Sequence, residues 1–115
     1  PLAPGRDALC GDVRIGLTPV GHLLGACAVT LSHGGQRLVF SGDVGRSHDL
    51  LTPAPLPVPD ADVLLVESTY GNRLHRSMSE TEDEIVAAVE RTHATHGNLI
   101  IPAFAVGRTQ EIITC

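Results

Sequence analysis

The chain has 115 residues, 43% of them apolar and only 18% charged, which reads as a soluble globular protein of about one ordinary domain. Its eight basic residues are all Arg, and thirteen Asp and Glu bring the net charge to -5, so composition excludes the dense basic face of an electrostatic nucleic-acid binder. Cys10, Cys27 and Cys115 stand at irregular spacing without a Cys-x-x-Cys pair, which argues against a disulfide framework or a cysteine zinc site.

A reducing cytoplasm suits such cysteine usage, and Cys27, inside Gly25-Ala26-Cys27-Ala28, reads as a small buried apolar residue rather than a reactive thiol. No apolar run approaches the roughly 18 residues of a membrane span, so no membrane partner is expected. The sequence opens on Pro1 without an initiator Met and stops at Cys115 inside an incipient helix, so the expectation is an internal piece of a longer protein.

Along the chain, Val13 to Leu17 alternates as a short strand. Ala26 to Leu31 and Arg37 to Ser41 follow as a hairpin around the turn His33-Gly34-Gly35-Gln36. The run Leu51-Thr52-Pro53-Ala54-Pro55-Leu56-Pro57-Val58-Pro59 cannot feed a central sheet and predicts an extended surface connection. Asp62 to Glu67 is a continuous apolar run ending in a carboxylate, the pattern of a central strand buried on both faces.

From Ser79 the text turns helical. Thr81-x-x-Glu84 fits a capping box, Ile85, Val86 and Val89 give an apolar stripe, and Gly97 supplies the stop. Asn98 to Pro102 predicts a further strand and Gly107 onward a second helix, an alternation typical of α/β architecture.

Three polar residues stand where structure alone would not ask for them: His22 after Gly21, Asp43 after Ser41-Gly42, and Glu67 after Val66. Each ends or follows an apolar stretch, where a rigid sheet can present a side chain at an open edge. His22 and Asp43 are one hairpin apart, and an imidazole with a carboxylate suits zinc or a similar divalent ion. Blander readings stand beside these. His22 also fits a hydrogen-bonding turn, Gly42-Asp43 a cap, and Glu67 a strand-end group bonded to a neighbouring loop.

Four segments, in order, carry a wider pattern: Gly21-His22-Leu23-Leu24-Gly25-Ala26, Leu38-Val39-Phe40-Ser41-Gly42-Asp43-Val44-Gly45, Glu67-Ser68-Thr69-Tyr70-Gly71-Asn72-Arg73, and Ile101-Pro102-Ala103-Phe104-Ala105-Val106-Gly107-Arg108-Thr109-Gln110-Glu111. Together they resemble the β-CASP branch of the metallo-β-lactamase-fold nucleases, whose members include ribonuclease J and the pre-mRNA 3′-end cleavage endonuclease. The resemblance implies the later part of an αββα metallo-β-lactamase sandwich over residues 1–77 and the start of a β-CASP domain over 78–115.

It also implies a zinc-dependent, two-metal cleavage of RNA phosphodiester bonds. His22 would bind one zinc ion and Asp43 would bridge two. Glu67 would act in catalysis without binding metal, by orienting or sharing a proton with a later histidine. The H-x-H-x-D-H motif and the remaining histidines of the family fall outside these residues, so the piece by itself is expected to hold zinc weakly and cut nothing.

Single-stranded RNA is the implied substrate, a homodimer or an RNA-processing complex the implied assembly, and metal ions with further segments the implied source of positive charge. Gly107-Arg108 opens a helix, and Arg108 could meet a substrate phosphate, or could simply start the helix. Rival readings are a hydrolase of this fold acting on DNA or on a small ester or thioester, and a scaffold subunit without catalysis. His75 reads as loop packing, His93 and His96 as helix-end residues, and His33 and His48 as surface loop residues.

Overall fold

The computed structural model describes residues 2–74 and 76–114, so the readings of His75 and Cys115 lie outside the described residues. The chain forms two compact units, Pro1–Gly71 and Asn72–Cys115.

The first unit is a five-stranded sheet in which neighbours in sequence are neighbours in space: β1 (Ala8–Cys10), β2 (Val13–Pro19), β3 (Cys27–His33), β4 (Gln36–Phe40) and β5 (Val63–Leu65). The hairpin foreseen from the sequence is present. His33 pairs with Gln36 across Gly34-Gly35, whose φ values of 56° and 81° match the primed turn that follows strand twist. Strand β1 carries too few residues to show a period, and it was not foreseen.

Register sorts the side chains into cross-strand rows. Leu17, Val29, Phe40 and Leu65 share one row, and Ile15, Leu31, Leu38 and Val63 the next on the same face. The opposite face carries Gly16, Thr30, Val39 and Leu64 between them. The small core lies around Val39 and Ala28, both fully buried, with Val20 and the half-buried Ala26 beside them.

Strand β5 corrects the expectation for residues 62–67. Rather than a central strand covered on both faces, it pairs for three residues with β4 at the border of the sheet, and Val63, Leu64 and Leu65 remain about half exposed. A long apolar run can be covered on both faces only where other elements supply the cover, and none of the described residues does. The proline run forms no strand, as its missing N–H groups require.

In the second unit, α1 (Met78–Ala94) starts at a capping box one turn earlier than the sequence suggested. Ser77 accepts from the Glu80 amide at 3.2 Å while the Glu80 carboxylate accepts from the Ser77 amide at 2.9 Å. Thr81 instead donates its hydroxyl to the Ser77 carbonyl, and Glu84 pairs with Arg76.

The helix stops through His96, not Gly97. His96 takes the left-handed φ of 50°, and the Gly97 amide closes back on the Thr92 carbonyl at 2.9 Å. The apolar stripe is also shifted: Ile85, Ala88 and Thr92 are half-buried, while Val86 and Val89 are exposed.

Residues 98–102 form no strand, which corrects the second strand expectation. Leu99, Ile100 and Ile101 are exposed, and no described strand edge receives their amides. The short α2 (Arg108–Thr114) follows. No described helix is long and apolar enough to cross a membrane.

Candidate functional site

Topology brings three of the four singled-out residues to one edge of the sheet. Strand β2 ends there at Pro19 and β3 begins there at Cys27, which puts His22 in their connection. Strand β4 ends at the same edge at Phe40, three residues before Asp43, which lies in the Ser41-Gly42-Asp43 loop. Because β5 runs parallel to β4, its end also points that way and delivers Glu67. The parallel step needs a long crossover, and the segment between β4 and β5 provides it without a helix.

The loops are tied backbone to backbone. The Gly45 amide donates to the Val20 carbonyl at 2.7 Å, fixing the Asp43 loop to the His22 loop. A Cβ at Gly45 would collide with the Gly21 carbonyl, so only glycine lets these strands of backbone meet. Ser41 joins the third element: its amide donates to Leu65, and its buried hydroxyl accepts from the Glu67 amide at 3.0 Å and donates to the Gly42 carbonyl at 2.6 Å.

Glu67 uses one carboxylate oxygen, Oε1, to accept the Val44 amide at 2.7 Å. That bond first, then the Thr69 hydroxyl, holds the carboxyl below its ordinary range, and the nearby His22 ring adds a smaller electrostatic pull. The strand-end reading of Glu67 is therefore realised at that oxygen: it ties β5 to the loop of Asp43.

His22 and Asp43 are both exposed, and no hydrogen bond among the described residues engages the Asp43 carboxylate. Their donor chemistry fits a divalent ion such as zinc: one imidazole and one carboxylate carried on two loops that are locked together. Their number supplies part of a coordination shell, since zinc sites ordinarily use three or four protein ligands. Among the described residues no group of three His, Cys, Asp or Glu is placed to hold a metal.

Arg108 belongs to the other unit, at the start of α2, where its guanidinium pairs with Glu111 at 3.1 Å. His33 and His48 are exposed, with His33 Nδ1 3.2 Å from the Asp12 carbonyl. Cys27 is half-buried rather than buried. A shallow depression of about 350 Å³ lies at the far edge of the sheet, lined by Ser32, Arg37, Asp60 and Asp62 among others. Arg37 already engages Asp62 there, and the candidate residues lie elsewhere.

Sequence reading missed Ser41, Gly45 and Thr52, whose hydroxyl donates to the Gly21 carbonyl at 2.5 Å. The Ser-Gly-Asp-x-Gly spacing signalled the first two. Nothing local marked Thr52, because its partner lies 31 residues away.

The sheet unit thus carries one imidazole and two carboxylates on segments that follow the ends of its strands at one edge. No family model matches the chain. Among curated proteins it is 39% identical to ribonuclease TTHA0252 of Thermus thermophilus, over 98% of this chain and 26% of that protein. It is 37% identical to an RNase J-like protein of Methanocaldococcus jannaschii, over 89% of this chain and 25% of that protein. It is 35% identical to cleavage and polyadenylation specificity factor 73 of Drosophila melanogaster, over 94% of this chain and 16% of that protein.

The chain is a homologue of the β-CASP metallo-β-lactamase ribonucleases. It spans about a quarter or less of the length of these curated relatives.

Proposed function

We propose that the chain is part of a zinc-dependent ribonuclease that hydrolyses RNA phosphodiester bonds by a two-metal mechanism. The supporting observation is the convergence of His22, the Asp43 loop and Glu67 at one sheet edge, in a chain whose relatives carry ribonuclease names. In this reading the first unit belongs to an αββα sandwich reaching to about residue 77, and residues 78–115 open the β-CASP domain.

His22 and Asp43 would hold the metal, with further ligands coming from the rest of the protein. Bound metal supplies a water of lowered pKa and stabilises charge on the phosphoryl oxygens. Asp43 is suited to its part because its carboxylate is exposed and its loop is anchored at Gly45. Glu67, held at the sheet edge by the Val44 amide and by Thr69, would orient a histidine that acts on the leaving group.

Single-stranded RNA in a reducing cytoplasm is the proposed substrate and setting, within a homodimer or an RNA-processing complex. Arg108 contacts a substrate phosphate by exchanging its Glu111 partner for the phosphate. The decisive test is Asp43→Asn in the full-length protein, assayed on a single-stranded RNA. Cleavage is expected to fall by at least about 100-fold with folding intact, the scale on which a single charge-stabilising group counts in catalysis. Undiminished cleavage would remove Asp43 from the centre.

A further inference from the structure

The proline-rich segment after β4 does more than connect. Leu56 donates its amide to the Pro19 carbonyl at 3.0 Å, where β2 ends and the His22 loop begins. Four residues earlier in the chain, Thr52 donates its hydroxyl to the Gly21 carbonyl at 2.5 Å. The Asp49 side chain accepts the amides of Leu51 at 2.8 Å and Thr52 at 3.2 Å, which closes a turn and fixes the place from which Thr52 reaches across.

Gly21 is buried with a φ of +67°, and a Cβ there would collide with the Pro53 carbonyl and lie 3.1 Å from the Pro55 nitrogen. On its other side the Gly45 backbone packs against the Gly21 carbonyl. The Gly21–His22 peptide is thus gripped between the Asp43 loop and the proline segment, and its carbonyl is engaged by a single side chain, Thr52, among the bonds described.

A peptide plane whose oxygen is fixed has a fixed nitrogen side as well, because the bond resists rotation. The His22 nitrogen and Cα lie in that plane, so the point from which the imidazole projects is placed with it. We propose that Thr52 is a positioning residue for His22: its hydroxyl, braced by the stiff prolines, sets the peptide that aims the imidazole at the metal. The proposal rests on the reading of His22 as a metal ligand. Partners that orient a ligand in this way typically matter about 10- to 100-fold in metal affinity.

The test uses the full-length protein stripped of metal, with Zn²⁺ titrated against a chromophoric chelator and the melting temperature recorded for each variant. Thr52→Val, which keeps the shape and removes the donor, is expected to weaken zinc binding about 10-fold at a melting temperature close to the parent's. Thr52→Ser restores the hydroxyl and should return affinity to within about twofold of the parent. Parental zinc affinity in Thr52→Val overturns the proposal, and so does an equal loss in the serine variant.

Should the valine variant fail to fold, Thr52→Ala, which lets water reach the carbonyl, carries the same expectation and the same refutation. His22→Ala separates the two levels. Unchanged zinc binding there defeats the ligand reading itself, whereas loss in His22→Ala with none in Thr52→Val defeats only the brace.

Discussion

The two units of the chain are ordered by different means. In residues 2–71 the decisive contacts join segments far apart in sequence: Glu67 to Val44, Thr52 to Gly21, Asp62 to Arg37. In residues 72–114 the hydrogen bonds described join residues no more than eight apart, as in the Ser77–Glu80 box, the Gly97–Thr92 closure, the Arg76–Glu84 pair and the Thr109 and Gln110 side chains bonded five residues back. The first unit owns a small core around Val39, while neither helix of the second buries a residue. Non-local pairing can gather chemistry from distant points of the sequence, which is why the candidate centre lies in the sheet unit and local capping builds none.

That contrast is sharpest in core substitutions. Val39→Ala removes two methyl groups from a fully buried site. It is expected to cost about 2 kcal/mol, at roughly 0.8 kcal/mol per carbon plus a cavity contribution. Val86→Ala, on an exposed stretch of α1, should stay within about 0.5 kcal/mol. Urea unfolding of both variants checks the pair, and equal midpoints would erase the distinction drawn between the units.

A smaller effect belongs to the cap. Ser77→Ala leaves the Glu80 amide without its acceptor and should cost about 1 kcal/mol, read as faster hydrogen exchange in the first turn of α1 with the sheet amides unaffected. Loss of protection in the sheet instead would contradict the local character of this order.

The smallest effect is in pH. The Ser77 hydroxyl and then its amide hold the Glu80 carboxyl below its ordinary range. A folded-state value below the unfolded one means the carboxylate's contribution is fully present above the ordinary glutamate value and is lost as pH falls through the lowered one. Helicity of α1 should therefore slip slightly in that acidic window and recover on neutralisation, and the dependence should vanish in Glu80→Gln. A decline that persists in that variant would assign it to another group.

Much of this was legible from residues alone, where the signal is local. Gly34-Gly35 between apolar runs fixed the hairpin, and the prolines of 53–59 excluded a strand, because φ and missing amides act within a residue or two. His22, Asp43 and Glu67 stood out because each interrupts an apolar stretch. Local signals also misplaced detail. Thr81-x-x-Glu84 and Ser77-x-x-Glu80 both match a capping box, and only the actual turn distinguishes them. Gly97 looked like the stop, while His96 takes the left-handed turn.

The apolar runs at 62–67 and 98–102 show the limit most clearly. Hydrophobicity states what a segment tolerates, whereas burial depends on what lies against it, and neither run is covered by described residues. The sequence by itself determined the chemistry on offer: one imidazole, two carboxylates, an acidic balance and the places where the chain must turn. Only the tertiary structure decided that these groups share one edge and that Thr52 grips the peptide before His22. A parallel crossover and a hydroxyl reaching across 31 residues are settled by three-dimensional pairing, of which a one-dimensional pattern carries no record.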